Sequence, residues 1–313
     1  YFTKNIDRMG NTTNGNTVCD YDAEEIRRGF SLSASLMSLT WKDMRFNILD
    51  VPGYFDFEGE MRQCVRVADA AVIVVDGKAG VEVGTELAWE SATDAGIPKA
   101  FFINRFDDGE CRFRRAFDSL RDKFGVTVCP IQIPLIDVDK VIGFVNLINM
   151  TVYTFDSASG SYVKSEIPEQ FREMADEYHN MLLESIAQTS DKLMEKFFGG
   201  EEITYEESVE AIHTGIIHGE IVPVFCGAAT KMWGIQTFMN TIADSFPRAT
   251  ARVNEKILNA DGTIGELPIE KESTDTSLFI FKTVADPFVG KMSFFKVMSG
   301  DIKENMTLRN TTN

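Results

Sequence analysis

Short apolar runs alternate with helical segments from residue 46 to about residue 128, and this alternation narrows the possible folds more than any other feature. The runs lie at 46–50, 70–76 and 99–104, and each ends in Asp or Asn. Such runs predict strands that are buried on both faces, as in a parallel sheet covered by helices. The helices are predicted at 58–67, 82–95 and 112–124. This pattern is typical of a doubly wound α/β domain, which binds ligands at the carboxyl ends of its strands.

The middle of the chain interrupts the alternation. Residues 151–163 are predicted to form a hairpin, and a long helix is predicted to start near Pro168. Residues of this helix form one apolar stripe at spacings of three and four: Phe171, Met174, Ala175, Tyr178, Leu182 and Ile186. A buried strand at 221–227 and a helix at 235–245 then restore the α/β pattern.

These shifts in pattern predict several parts of the chain. We expect a discontinuous α/β domain at 1–128 and 221–250, an inserted α+β subdomain at 129–220, a polar linker at 251–275 and the start of a β-barrel at 276–313.

The charge balance is strongly acidic. The chain has 31 Lys and Arg against 48 Asp and Glu, a formal net charge of −17. This argues against non-specific binding to free duplex nucleic acid, which needs a surplus of basic residues. Residues 155–220 alone hold 15 acidic and 4 basic residues. Two interpretations stay open for that segment, a solvated helix face and a docking surface for a basic partner.

The cysteines and the apolar segments restrict the environment of the protein. The five cysteines are scattered, and no Cys-x-x-Cys pair occurs. A disulfide framework and a structural zinc site are therefore not favoured, and we expect a reducing cytosol. No apolar run approaches the roughly 18 residues of a membrane span. The chain starts at Tyr1 and ends in a strand-like alternation at 306–308, so we interpret it as cut at both ends.

The first chemical motif is Asp50-Val51-Pro52-Gly53, which follows a predicted strand. A carboxylate there can hold a water molecule on Mg²⁺. The glycine amide can approach a γ-phosphate because no Cβ intervenes. For this motif alone, a plain turn is the better interpretation, because Asp-x-Pro-Gly is also a good turn sequence.

The second motif is Asn104-Arg105-Phe106-Asp107, also at a predicted strand end. In the form Asn-Lys-x-Asp this motif recognises guanine, because the aspartate accepts hydrogen bonds from N1–H and the 2-amino group. Asn104 would support the O6 and N7 side of the base. Arg105 replaces the lysine, and its flat guanidinium can also stack on a base. Taken alone, turn or capping roles for Asn104 and Asp107 are equally compatible with the sequence.

Two further segments complete the pattern. Gly227-Ala228-Ala229 follows a predicted buried strand, and a backbone amide there could contact O6 of guanine. The hydroxyl of Ser31, in the loop before the strand that ends at Asp50, could ligate Mg²⁺. Taken alone, Gly227–Ala229 is only a strand-to-loop junction, and Ser31 is only a serine in a polar loop. All four segments occur along one predicted sheet, in the order Ser31, Asp50–Gly53, Asn104–Asp107 and Gly227–Ala229, and this joint occurrence is far rarer than any single match.

With these motifs the chain resembles the translational GTPases, and among them elongation factor G and its relatives that confer tetracycline resistance. The resemblance covers residues 1–313, including the acidic insert. The segments that carry it are 27–31 (RRGFS, family RGIT), 50–57 (DVPGYFDF, family DTPGHVDF), 103–107 (INRFD, family VNKMD), 222–229 (VPVFCGAA, family VPVLCGSA) and 286–295 (DPFVGKMSFF).

The resemblance implies a GTPase that binds GTP or GDP with Mg²⁺ and acts on the ribosome in the cytoplasm. It implies translocation, or protection of the ribosome in the relatives, with rRNA and the ribosomal stalk proteins as partners of a monomer. Ser31 would bind Mg²⁺ directly, and Asp50 would bind it through a water molecule. The nucleotide would be contacted by Asp50, Val51, Pro52, Gly53, Tyr54, Asn104, Arg105, Phe106, Asp107, Gly227, Ala228 and Ala229.

The departures from the family pattern concern nucleotide binding and catalysis. The expected sheet is of the P-loop-GTPase type without its first strand and phosphate loop, which would stand just before Tyr1. We therefore expect unpaired strand edges and weak or no GTP binding by this chain. Tyr54 occupies the position of the histidine that orients the attacking water, and a phenol is a poor substitute for an imidazole.

Hydrolysis is therefore uncertain, and two alternatives remain. One is a non-hydrolysing factor that binds or protects the ribosome. The other is a regulatory GTPase outside translation, which the insert and the match at 286–295 disfavour.

Overall fold

The computed structural model describes residues 3–158, 160–251, 254–259, 261–269, 276–286 and 288–311. The chain divides into two compact units, Tyr1–Phe246 and Pro247–Asn313. In chain order the strands of the first unit are β1 (Ser35–Trp41), β2 (Met44–Asp50), β3 (Ala71–Asp76), β4 (Lys99–Asn104), β5 (Val128–Pro130), β6 (Gln132–Asp137), β7 (Lys140–Asn146), β8 (Thr151–Asp156), β9 (Ser161–Ser165) and β10 (Val222–Cys226). Its helices are α1 (Ala23–Arg28), α2 (Glu58–Val67), α3 (Val83–Asp94), α4 (Phe113–Phe124), α5 (Arg172–Ala187), α6 (Asp191–Gly199), α7 (Tyr205–His218) and α8 (Ile235–Ser245).

The central sheet is parallel and has the order β3-β4-β10-β5. Phe101 and Ile103 of β4 are fully buried, as is Phe225 of β10. The ring of Phe101 stacks with Trp89 of α3 at 5.6 Å and with Phe124 of α4 at 5.4 Å. The predicted α/β class with a parallel sheet is therefore confirmed, and four of the predicted helices agree with α2, α3, α4 and α8 to within one residue.

The prediction for the run at 46–50 is wrong in its pairing. This run belongs to β2, which pairs antiparallel with β1. The two strands are joined by a two-residue turn in which Lys42 and Asp43 have φ values of 47° and 59°. Two successive positive φ values match the right-handed twist of a hairpin, which accounts for the antiparallel pairing. Side chains on β2 alternate between half-buried and exposed, so this strand is not covered on both faces.

The outer strand of the central sheet also differs from the prediction. β3 lies at the edge of the sheet, next to β4. Val75 is 1% exposed, whereas Val74 is 62% exposed. The run at 70–76 is thus a strand, as predicted, but only one of its faces is buried.

The segment 129–220 forms a second, antiparallel sheet of order β6-β7-β8-β9, followed by three helices. The predicted hairpin is confirmed as β8 and β9, which pair from Asp156–Ser161 to Val152–Ser165. The predicted apolar stripe is confirmed on α5, where its buried members are Ala175, Tyr178, Leu182 and Ile186.

This inserted sheet and its helices share one core with the parallel sheet. Tyr178 of α5 packs edge-on against Phe113 of α4 at 5.5 Å. Phe144 of β7 packs edge-on against Phe106, just beyond β4, at 6.5 Å. The opposite face of α5 exposes Glu173, Asp176 and Glu177, as both interpretations of the acidic segment require.

The second unit contains two antiparallel hairpins. β11 (Asn254–Leu258) pairs with β12 (Ile264–Pro268), and β13 (Ser277–Asp286) pairs with β14 (Gly290–Ser299). The structure thus places a hairpin within 251–275, where we expected a polar linker, and residues 270–275 lie outside the described part. No regular strand is found among the described residues beyond Ser299, so the expected alternation at 306–308 does not form one.

All five cysteines are free thiols, and four of them are buried. Across the described ranges, none of the helices combines the length and the apolar character that a membrane crossing requires.

Candidate functional site

Two loops at the carboxyl edge of the parallel sheet are joined by hydrogen bonds. Asn104 ends β4, and its Oδ1 accepts a hydrogen bond from the amide of Ala229 at 3.0 Å. Oδ2 of Asp107 accepts one from the hydroxyl of Thr230 at 3.2 Å. These contacts form because β4 and β10 are adjacent and parallel, so that their following loops meet. The structure therefore brings Asn104 and Asp107 of the second motif together with the predicted segment Gly227–Ala229.

The backbone reinforces this junction between the two loops. The amide of Phe106 donates to the carbonyl of Gly227 at 3.1 Å, and the amide of Gly227 donates to the carbonyl of Ile103 at 2.9 Å. A Cβ on Gly227 would stand 2.1 Å from the carbonyl oxygen of Trp233, so only glycine fits there. Ala228 is fully buried and pairs with Trp233 in an isolated antiparallel bridge.

Arg105 has a partner that the sequence did not predict. Its Nη1 donates to Oδ2 of Asp76, at the end of β3, at 2.8 Å. The same Asp76 accepts hydrogen bonds from the amides of Lys78 at 2.8 Å and Ala79 at 3.1 Å. Partial burial alone would raise the pKa of Asp76, but these amides and the guanidinium outweigh it and lower that pKa. The ion pair holds Arg105, which has a φ of 72°, beside the end of β3.

The first motif lies in a second group of contacts, around the end of β2. The atoms packed around Asp50 raise the pKa of its carboxyl by removing water. A hydrogen bond from Cys19 opposes this shift, whereas the carboxylates of Asp20 and Glu25 add to it. The environment of Asp50 is therefore acidic, which is the setting that a bound cation would stabilise.

Ser31 belongs to this second group. Its hydroxyl donates to Oδ1 of Asp20 at 2.7 Å. The loop that carries Ser31 is held by Glu25, which is 2% exposed and accepts hydrogen bonds from the amides of Leu32 at 2.9 Å and Ser33 at 3.1 Å. Sequence inspection missed this role of Glu25, because a lone acid in a helix gives no signal of a distant amide partner.

The oxygen donors of Ser31 and Asp50 are of the type that Mg²⁺ prefers. However, the hydroxyl of Ser31 is engaged by Asp20. Among the described residues, no group of three or more His, Cys, Asp or Glu side chains is arranged to hold a metal ion. The chemistry of these donors fits Mg²⁺, while the protein alone does not form a complete cage.

Tyr54 follows Gly53 and packs on the loop of Ser31. Its ring lies 4.7 Å from that of Phe30 at an interplanar angle of 56°. Tyr54 is still 54% exposed, and a Cβ on Gly53 would meet no atom within 4 Å. The segment from Gly53 to Tyr54 is therefore open to a ligand, with one aromatic contact that fixes the tyrosine ring.

Comparison with known proteins agrees with this geometry. Residues 1–248 match the family described as the elongation factor Tu GTP-binding domain. The chain belongs to this family. It is also similar to the crystal structure of ttk003000868 from Thermus thermophilus, with 28% sequence identity and a TM-score of 0.83. That similarity covers 96% of this chain but only 42% of the Thermus protein.

Proposed function

We propose that this chain is the nucleotide-binding part of an elongation factor G-like translational GTPase that acts on the ribosome in the cytoplasm. The observation that carries the proposal is the pair of hydrogen bonds from Ala229 to Asn104 and from Thr230 to Asp107. Together with membership of the elongation factor Tu GTP-binding domain family, they support a loop pair built to hold guanine.

In this proposal the base is recognised by hydrogen bonds at both of its edges. Asp107 is exposed, so its carboxylate can accept from N1–H and the 2-amino group of guanine. The amide of Ala229 is the donor that we assign to O6, with Gly227, Ala228 and Phe106 forming the backbone around it. In the structure this amide donates to Asn104, and we assign to Asn104 the role of holding the amide where it can share its hydrogen with O6.

The phosphate side of the proposed site consists of the loop from Asp50 to Tyr54 and of Ser31. Val51 and Pro52 place the Gly53 amide, while Asp50 and Ser31 would hold Mg²⁺. Bound Mg²⁺ would neutralise phosphate charge. The sequence contains no Gly-x-x-x-x-Gly-Lys-Ser/Thr segment, which supplies most of the phosphate contacts in such sites. We therefore expect this chain to bind GTP more weakly than micromolar.

Two measurements test the proposal. Titration of the chain with GDP, with ADP as the control, should show binding of GDP alone, at concentrations approaching millimolar. Co-sedimentation of the full-length protein with ribosomes should depend on the bound nucleotide. Equal binding of ADP and GDP would remove the guanine assignment, and absence of the protein from the ribosome pellet would remove the assignment to translation.

A second candidate function is a ribosome-binding or ribosome-protecting factor that does not hydrolyse GTP. The contact between Tyr54 and Phe30 favours it. The residue that follows Asp-x-x-Gly is a tyrosine, and the neighbouring ring of Phe30 holds its phenol ring. Phosphate release measured with ribosomes present separates the two candidates. The task within translation, whether translocation or protection, is a property of the full-length protein, and translocation assays with that protein would test it.

A further inference from the structure

The inserted sheet contacts the base-binding loop, residues 227–234. Tyr162 lies on β9 of that sheet, and its hydroxyl donates a hydrogen bond to the carbonyl of Met232. The same hydroxyl accepts a hydrogen bond from the amide of Gln236, at the start of α8, at 3.3 Å. One side chain of the insert thus binds both the last part of the loop and the helix that follows it.

The base-binding loop has a conformation that needs such support. Met232 has a φ of 61°, in the left-handed region that residues with a Cβ seldom adopt. The loop is closed by the bridge between Ala228 and Trp233, whose amides and carbonyls bond at 3.2 and 3.1 Å. Ala229 and Thr230, which contact Asn104 and Asp107, stand between these fixed points.

A second residue of the insert confines the same loop. Gln132 of β6 is fully buried, and a Cβ on Gly234 would lie 2.9 Å from its Nε2. Within the described residues, neither polar atom of the Gln132 amide has a hydrogen-bond partner. Gln132 therefore restricts Gly234 by steric contact, whereas Tyr162 holds the loop through directional hydrogen bonds.

We propose that Tyr162 is a positioning residue for the base-binding loop, so that the inserted sheet sets the affinity of the site for the guanine base. This inference rests on the proposed function for its ligand, but not for its geometry. Burial raises the pKa of Tyr162 to about 12, so the phenol keeps its proton and remains a donor to Met232 at neutral pH.

Hydrogen exchange of the chain without nucleotide tests the geometry. Tyr162→Phe keeps the ring that packs on Phe155 at 5.2 Å and removes only the hydroxyl. We expect the amides of Ala229 and Trp233 to exchange about tenfold faster in this variant, well beyond any change at amides elsewhere in the first unit. Tyr153→Phe is the matched control, because that hydroxyl bonds Asn149 in the same sheet at 3.1 Å. Unchanged rates at 227–234, or a rise spread over the whole first unit with a lower midpoint, would overturn the proposal.

Affinity for two ligands tests the consequence for binding. GDP is compared with the diphosphate of 2-aminopurine riboside, which lacks both O6 and the N1–H that Asp107 would accept from. We expect Tyr162→Phe to weaken GDP binding about tenfold and to leave the analogue unaffected. Equal losses for both ligands, or none for either, would contradict a role through the loop. If the unaltered chain binds neither ligand, the comparison of the two ligands is made with the full-length protein, and absence of GDP binding there would remove the proposed function; the exchange experiment decides the role of Tyr162 in either case.

Discussion

Asn104 accepts, through Oδ1, a hydrogen bond from the amide of Ala229 at 3.0 Å, although 125 positions separate the two residues. The bond fixes the spacing between the loops that follow β4 and β10. We expect Asn104→Ala to reduce the affinity for GDP at least about tenfold and to lower the free energy of unfolding by about 1 kcal/mol. Titration calorimetry and urea denaturation measure these two effects.

Asn149→Ala is the control for that variant. Asn149 also makes a side-chain hydrogen bond, to Tyr153 at 3.1 Å, but from the turn between β7 and β8. It should lower stability by a similar amount without changing GDP affinity. Equal GDP affinity in both variants would show that the contact between Asn104 and Ala229 does not shape the base-binding loop.

We expect the two residues of the ion pair between Asp76 and Arg105 to contribute unequally to the stability of the chain. Asp76 also accepts hydrogen bonds from the amides of Lys78 and Ala79, whereas the side chain of Arg105 is 62% exposed. Asp76→Ala should therefore lower the free energy of unfolding by about 1 kcal/mol, as expected for loss of a capping side chain. Arg105→Ala should lower it by less, because exposed ion pairs contribute little.

Salt distinguishes the two contributions of Asp76. The pair with Arg105 is screened by salt, while the hydrogen bonds to the amides of Lys78 and Ala79 are affected much less. Urea denaturation at low and high salt should therefore leave most of the Asp76→Ala effect intact. An Asp76→Ala effect that vanishes at high salt would assign the stability to the ion pair instead.

The parts of the fold that the sequence predicts well are those fixed by local chemistry. Gly125 in the sequence predicts that the helix at 112–124 ends there, and the structure ends α4 at Phe124 with Gly125 as its cap. The strand-end positions of Asn104 and Gly227 also predict their proximity, because parallel strands end at one edge of a sheet. These inferences need only the pattern along the chain and the rule that parallel strands share an edge.

Other contacts depend on side chains that give no sequence signal. The turn at Lys42 and Asp43 lacks the Asn-Gly or Asp-Gly pair that marks a hairpin, so the pairing of β1 with β2 was not predicted. Thr230 lies one residue beyond the predicted segment Gly227–Ala229, yet its hydroxyl is the hydrogen-bond donor to Asp107. Glu25 and Tyr162 are ordinary residues in sequence, and only the tertiary structure gives them their partners.

Asp50 makes the stability of the chain depend on pH. Its pKa is raised in the folded chain, first by loss of water and also by Asp20 and Glu25. A raised folded pKa means that the contribution of protonated Asp50 is present below the unfolded value of about 3.9 and is lost as the pH rises through the folded value. At pH 7 we therefore expect Asp50→Asn to be more stable than the unaltered chain, by less than about 1 kcal/mol because the carboxylate keeps part of its contact with water.

Urea denaturation of Asp50→Asn between pH 3.5 and pH 7 checks this sign. The advantage of the variant should shrink towards the acid end of the range. Asp122→Asn serves as the control, since that exposed aspartate lies on α4. An Asp50→Asn variant that loses stability at pH 7 would mean that the ionised carboxylate has a compensating partner.

Tyr54 offers the sharpest test of hydrolysis. Its ring contacts Phe30 at 4.7 Å, and a histidine at this position could keep that contact while presenting an imidazole with a pKa near 6.5. We expect Tyr54→His in the full-length protein to raise ribosome-stimulated phosphate release about a hundredfold, the lower end of the effect of a positioned acid or base. Tyr54→Phe keeps the ring and removes the hydroxyl, so it should release phosphate no faster than the unaltered protein. If Tyr54→His is no faster either, the rate is limited elsewhere, and the non-hydrolysing candidate gains support.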